Sequence, residues 1–584
     1  MSYRTAYTVL EEMAARLGNW PALHQPIPKS EKHTVYTWNQ YRDAAREIAL
    51  GLRSLGIGKG DIVAVYSETR AEFYLVDLGI MANGSISAAL YTSYPMPDQI
   101  KNLRAAQPKA VIVETPKAMH QLQDAAADNP LDTRWILMTG EAESTITIAE
   151  VRAAGLKLEQ SDPGLFERIR ADFDDSAHAI LYSTSGATGE PKMGLVTHAA
   201  LVANAEMGPL VLPLDENDRT IVFLPSAHIA QRVVLEFVVM RLGVQCFFSE
   251  SLAKLPTELR KIKPTFFLAP PRVWERVYSS IWTEIRKRSG ISQKLFYAAI
   301  GVGSEAARRK QQGRSPASWM KPALKLFDKL VYAKIRERLG GEMRVAASGA
   351  APLSREMGEF YAAFGMPLIE GYGLTEGGVA TLNPVGKSRP GSIGQPLPGV
   401  EVKIADDGEL LLKSPCLFSG YFKDPAATAA VLRDGWLYTG DIAEQDADGY
   451  LYITGRKKEL IVSSNGKKIY PARIEGLLKS EPVINQVLLI GDKMPYVTAL
   501  FTINPQATEH LHGAEEVKSE VQKVVGRVNR QLAQFEQIRK FRVLERDFSI
   551  EAGELTPTMK VRRNRVLENY RDVVSELYMG KEID

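Results

Sequence analysis

The sequence predicts an α/β and α+β multidomain protein, with a large N-terminal part of two α/β lobes plus a small β-rich subdomain, followed by a small α+β C-terminal domain. Three observations predict it. At 584 residues the chain is longer than one hydrophobic core organises. Strand-like apolar runs alternate with helical periods through most of the first 383 residues, the pattern of parallel or mixed sheets covered by helices. Beyond Pro384 the helical period fades into short runs punctuated by Gly391, Gly394, Gly399, Gly408, Gly420 and Gly449, and a charged α+β segment follows Gly455.

The elements follow in order. Thr37-Trp-Asn-Gln40 is a capping box, and Tyr41, Ala44, Ile48, Leu52 and Leu55 recur at helical spacing until Gly56 closes the helix. Asp61 to Tyr66 reads as a buried strand, Phe73 to Met81 as a helix, and Lys109 to Glu114 as the next strand. The alternation resumes with strands at 179–182, 220–223, 244–248, 265–268 and 343–347. These signals place the lobes at about 1–175 and 176–383 and the β-rich subdomain at about 384–455, so that 1–455 forms the large domain and 456–584 the C-terminal one.

Composition narrows the function. A net charge of +3 disfavours a nucleic-acid binder held by phosphate neutralisation. Cys246 and Cys416 are far apart and lack metal or redox spacing, which suits a reduced, cytoplasmic chain. Glu11 and Glu12 interrupt the apolar core that an export signal needs. The most apolar window, 233–248, contains Glu236 and Arg241 and is too short to span a bilayer, so any membrane contact is expected to be peripheral. The basic run from Arg286 to Lys329 is expected to be a solvated helix face, with a phosphate- or lipid-attracting patch as the alternative. Peripheral membrane contact and a homodimer both stay open.

The sharpest chemical feature is Tyr182-Ser-Thr-Ser-Gly-Ala-Thr-Gly-Glu-Pro-Lys192, a strand entering a loop rich in glycine and hydroxyls and ending in lysine. Such a loop suits polyphosphate, since its glycines let backbone N–H groups converge on an anion and its lysine adds charge. It lacks the Gly-x-x-x-x-Gly-Lys-Ser/Thr spacing of a P-loop. Gly371-Tyr-Gly-Leu-Thr-Glu376 offers a ring to a purine, a hydroxyl to a phosphate and a carboxylate to Mg²⁺. Tyr438-Thr-Gly-Asp441 precedes Gly455-Arg-Lys-Lys-Glu459, and Leu555-Thr-Pro-Thr-Met-Lys560 lies near the C-terminus. Taken singly, Asp441 reads equally as a turn residue and Lys560 as a solvated lysine.

In this order and spacing the four elements resemble the adenylate-forming superfamily over most of the chain. Further runs, Leu224 to Arg232, Pro271 to Tyr278 and Leu555 to Lys560, resemble long-chain and very-long-chain fatty acyl-CoA synthetases. The resemblance implies ATP- and Mg²⁺-dependent conversion of a long-chain fatty acid to acyl-AMP with release of pyrophosphate, then transfer to coenzyme A. It also implies a C-terminal domain that is mobile between the two steps. Thr184, Ser185, Gly186, Ala187, Thr188, Gly189 and Lys192 would cradle the outer phosphates. Ser348, Gly349, Ala350 and Ala351, with Tyr372, would bracket the adenine, and Glu370, Gly371 and Gly373 would belong to the cofactor-binding set. Asp441 and Arg456 would hold the ribose, and Thr375 and Lys560 the α-phosphate. Glu376 and Thr184 would position Mg²⁺, His228 would flank the carboxylate, Lys458 would be the hinge, and Gly466 would let the pantetheine pass. Lys560, Thr375, Glu376, Lys192 and His228 are the candidate catalytic residues.

Two positions depart from the family loop. Ala187 replaces a hydroxyl residue, and Met193 replaces the glycine after Lys192. Slower or weaker use of ATP is the expected consequence. The rival readings are a ligase that delivers its acyl group to a carrier protein, a non-catalytic acyl- or nucleotide-binding module, and a phosphotransferase releasing ADP.

Overall fold

The computed structural model describes residues 4–185, 191–509, 511, 513–556 and 559–578. It is a mixed α/β molecule with several sheets and a small C-terminal domain. The capping box is present: the Thr37 hydroxyl accepts from the Gln40 N–H, and the Gln40 side chain accepts from the Thr37 N–H at 2.9 Å. The helix it starts, Trp38–Ser54, turns Tyr41, Ala45, Ile48 and Leu52 into the main core.

An eight-stranded sheet carries Ile62–Tyr66 at its centre, parallel to Ile86–Ala89 on one side and Ala110–Val113 on the other. Valine and isoleucine fill these strands because both faces are covered. Toward one edge follow His178–Ser185 and Pro191–Thr197, paired antiparallel, and last the two-residue strand Gly420–Tyr421. A nine-stranded sheet runs Gln395–Pro396, Gly378–Leu382, Leu368–Leu374, Val345–Ser348, Phe266–Ala269, Arg219–Val222, Gln245–Phe248, Pro21–Pro26, His33–Thr37.

This topology corrects the expected lobe boundary at 175/176. The strands Pro21–Pro26 and His33–Thr37 belong to the second sheet, where Leu23 pairs with Cys246, whereas His178–Ser185 and Pro191–Thr197 complete the first. Sheets are assembled by edge pairing between distant segments, so chain order alone does not mark their limits.

A five-stranded antiparallel sheet, from Glu401–Ile404 to Leu451–Arg456, forms the β-rich unit. Beyond it a three-stranded sheet, Ile484–Ile490, Val497–Ile503 and Ile538–Val543, packs on the helices Pro471–Lys479 and Ala514–Asn529 around its own core. Residues Lys457–Glu459 make a single 3-10 turn between the two.

Candidate active site

The phosphate-loop candidate is a hairpin: His178–Ser185 runs antiparallel to Pro191–Thr197, with Thr184 opposite Lys192. Gly186, Ala187, Thr188 and Gly189 lie outside the described residues. Met193, the second departure, is buried among Ile62, Ile86, Ala88 and Leu181, so its side chain extends the core and leaves Lys192 on the other face of the strand. The next residue, Gly194, is backbone-close to the second motif, since a Cβ there would stand 3.3 Å from Thr375 Cγ2.

The short strand Gly420–Tyr421 introduces a residue that the sequence did not single out. Tyr421 pairs with Gly194, its hydroxyl donates to Glu376 Oε1 at 2.6 Å, and Lys192 Nζ sits 5.1 Å from its ring centroid. One aromatic side chain therefore braces a carboxylate with its edge and a cation with its face.

The second half of the site is built on Asp441, which is 2 % exposed. Tyr372 Oη donates to its Oδ2 at 2.6 Å, and Arg456 Nε donates to its Oδ1 at 2.7 Å. Asp441 and Arg456 face each other because Trp436–Gln445 and Leu451–Arg456 are antiparallel neighbours in that register. A carboxylate has about four lone-pair sites, so two donors leave room for hydroxyls.

Lys560 comes from the C-terminal domain to this cluster. Its turn is closed by Thr556 N–H donating to Lys560 O at 2.8 Å and by Lys560 N–H donating to Thr556 Oγ1 at 3.0 Å. Solvent reaches the side chain, yet protein walls surround it in the cleft between the domains. Its pKa is pushed down to about 8, first by that burial and then by Arg456, while Asp441 and Glu459 pull the other way.

His228 feels Lys560 as well. Burial first and the Lys560 charge second lower its pKa to about 3, so the imidazole is neutral. Its Nδ1 accepts from the Ala230 N–H at 3.1 Å, which puts the proton on Nε2 as a donor. Lys560 thus lies within electrostatic reach of Asp441 and Arg456 and of His228, although His228 and Lys560 are 332 positions apart in the chain.

A cleft with a mainly apolar lining opens beside this cluster. Ser348, Gly349, Ala350, Gly371, Tyr372 and Gly373 line one side, and Gly208, Val211, Val234 and Val238 the other, with His228 at its wall. Ala350 holds a left-handed φ of 69°, strain that non-glycine residues accept at few places outside functional loops. Two expected residues stand apart from the lining. Ala351 follows the loop but does not line the cavity. Glu370 is buried, and its carboxyl accepts from the Gly391 N–H at 3.0 Å. Burial drives its pKa up to about 8. Strand alternation explains this, because Ile369 and Gly371 face the cavity and the residue between them faces away.

The wall that carries Val234 and Val238 is a π-helix, Gln231–Val238. Its opposite face buries Arg232 and Glu236 against Asp77 on the helix Ala71–Ala82, all three at most 1 % exposed. Arg232 is ion-paired with Asp77, which also accepts from the Ser87 hydroxyl. Burial and the Asp77 charge hold the Glu236 carboxyl protonated. A wide helical turn is costly and persists where surrounding contacts dictate it, as this ion pair does.

At the domain junction Lys457 is ion-paired with Asp407 and Glu409, while Lys458 is exposed. Gly466, at φ 76°, occupies the turn between Ile461–Val462 and Lys468–Ile469, with nothing within 4 Å of the place a Cβ would take. Among the described residues no three His, Cys, Asp or Glu side chains cluster as a metal cage.

Residues 10–422 match the AMP-binding enzyme family, and residues 458–582 match the AMP-binding enzyme C-terminal domain. The chain belongs to the AMP-binding enzyme family. This AMP-binding enzyme is 33% identical over 574 residues to the long-chain-fatty-acid–CoA ligase FadD15 of Mycobacterium bovis, covering 93% of this chain and 92% of the relative. It is 30% identical to the long-chain-fatty-acid–CoA ligase ACSBG1 of Bos taurus, over 99% of this chain and 86% of that one. The fold of the adenylation domain of a carboxylate reductase from Mycobacterium chelonae superposes with a TM-score of 0.76 at 21% identity, over 99% of this chain and 91% of the other.

Proposed function

We propose that this enzyme activates a long-chain fatty acid with ATP, releasing pyrophosphate, and transfers the acyl group from the acyl-adenylate to coenzyme A, releasing AMP. The observation that carries the reading is the meeting of Asp441, Arg456, Lys560 and neutral His228 at the mouth of an apolar cavity. The full-length relatives named as long-chain-fatty-acid–CoA ligases support the same assignment.

A carboxylate resists attack by a thiol because its charge is delocalised, so a leaving group must be installed first. Here the carboxylate accepts a hydrogen bond from His228 Nε2 while its acyl chain lies against Gly208, Val211, Val234 and Val238. Tyr372 and Ser348 to Ala350 bracket the adenine, and Asp441 receives the ribose hydroxyls. A carboxylate oxygen attacks the α-phosphorus and pyrophosphate leaves. Lys560 and Thr375 stabilise the charge gathering on the α-phosphate, where one such donor is worth roughly 100- to 1,000-fold in rate. Lys192 attracts the outer phosphates.

Mg²⁺ fits the donor set. Tyr421 engages only one oxygen of Glu376, which leaves the other for a hard cation that takes its remaining ligands from Thr184, phosphates and water. When bound, the ion neutralises triphosphate charge. After the first step the C-terminal domain turns about Lys458, the first residue past the Lys457 ion pairs, withdraws Lys560 and brings the Gly466 turn toward the pantetheine path.

The test is a panel of carboxylic acids of increasing chain length with ATP, Mg²⁺ and coenzyme A, read as AMP and thioester. Long-chain acids should give the highest kcat/KM, with multiple turnovers only when coenzyme A is present. A preference for short or aryl acids, or AMP turnover indifferent to coenzyme A, would count against the proposal.

A further inference from the structure

Between Phe266–Ala269 and Val345–Ser348, two strands that line the cavity, the chain leaves the sheet for a helical excursion, residues 270–344. Residues 286–334 of it carry twelve Lys and Arg against two acidic residues, Glu305 and Asp328. That is a balance of +10 in a chain whose total is +3, so the remainder is net −7. The basic charge is therefore segregated on one insertion.

The helix Met320–Phe327, continued as the π-turn Asp328–Tyr332, shows two exposed rows at helical spacing. Lys321, Lys325 and Lys329 form one, all exposed, and none has a carboxylate within 4 Å among the described residues. Beside it run Pro322, Leu326 and Leu330, with Leu326 55 % and Leu330 38 % exposed, and Trp319 caps the helix at 63 %. On the opposite side Leu324, Phe327 and Val331 are committed to the core beneath, and Met320 is fully buried. A merely solvated face has no reason to leave two leucines and a tryptophan in water beside an unpaired lysine row.

We propose that this insertion docks on an anionic lipid bilayer, with Trp319, Leu326 and Leu330 entering the interface and Lys321, Lys325 and Lys329 on the phosphate headgroups. Charge complementarity identifies the occupant, and the apolar row distinguishes it from a nucleic acid, whose backbone offers no medium for leucine. The proposal stands apart from the catalytic reading, since docking can fail while AMP formation persists. Each lysine beside an anionic leaflet strengthens binding about fivefold, so the three together contribute on the order of 100-fold.

The full chain is floated with vesicles of phosphatidylcholine alone or mixed with phosphatidylglycerol, with Trp319 emission followed in parallel. Binding only to the mixed vesicles, weakened by salt and accompanied by a blue shift that Trp319→Phe abolishes, is expected. The triple variant Lys321→Gln, Lys325→Gln, Lys329→Gln should lose about 100-fold in vesicle affinity. Leu326→Ser with Leu330→Ser should weaken binding at every salt concentration. AMP formation from dispersed fatty acid without vesicles should be unchanged in these variants, which establishes that they are folded. Equal affinity of the lysine variant, binding to neutral vesicles alone, preferential capture of duplex DNA by the lysine row, or burial of Leu326 in a dimer would each overturn the proposal.

Discussion

Raising the pH should switch off adenylation through Lys560. The cleft and Arg456 depress this ammonium to about 8, so the loss of its charge falls between pH 7 and pH 9. The direction is fixed: lysine is the active form when protonated, and deprotonation accompanies rising pH. With a pKa of about 8, about nine in ten molecules carry the charge at pH 7 and about one in ten at pH 9, a tenfold loss of competent enzyme. Rapid-quench measurement of pyrophosphate release at subsaturating ATP reports the free enzyme, where this limb should appear. Lys560→Arg should flatten it, since a guanidinium keeps its charge. Lys560→Ala should abolish the step while thioester formation from synthetic acyl-AMP survives. An adenylation rate level from pH 7 to pH 10, or the same alkaline limb in Lys560→Arg, would refute the reasoning.

Three further perturbations follow. Tyr421→Phe removes the 2.6 Å bond to Glu376 but keeps the ring beneath Lys192. Half-maximal AMP formation should need about tenfold more Mg²⁺, and an unchanged Mg²⁺ titration would discard the bracing role. Asp77→Asn combined with Glu236→Gln strands Arg232 without any counter-charge in the core and should cost about 3–5 kcal/mol in urea unfolding, whereas Glu236→Gln alone should be nearly neutral because that carboxyl is already protonated. Equal losses in the two variants would contradict the assigned proton. Lys458→Pro should slow thioester formation more than adenylation, since a fixed φ impedes the turn. Matched losses in the two single-turnover steps would remove Lys458 from the hinge.

Much of the site was legible because its parts are local. The hydroxyl and glycine run before Lys192, the 371–376 segment and the Asp441 and Lys560 motifs each announce themselves within a dozen residues. What the sequence withheld depends on distant pairing. Tyr421 acts because a two-residue strand aligns it with Gly194, more than 220 positions earlier, and a strand that short leaves no periodic signal. Arg232 lay within the Leu224 to Arg232 run, but its partner Asp77 sits in the otherwise apolar middle of the helix Ala71–Ala82, where one aspartate between valine and leucine gives no hint of a charge 155 positions away. The lobe boundary failed for the same reason, since Pro21–Pro26 joins the second sheet by pairing with Gln245–Phe248. That Glu370 does not line the cleft was not legible either, because strand parity shows that neighbours alternate but does not say which face meets the cleft.

The most direct test follows oxygen. Fatty acid labelled with ¹⁸O in its carboxylate is turned over with ATP and coenzyme A, and the nucleotide product is examined by mass spectrometry. If a carboxylate oxygen attacks the α-phosphorus and stays there when the thiol takes the acyl group, each AMP carries one labelled oxygen. Unlabelled AMP, or ADP with the label in inorganic phosphate, would contradict the account.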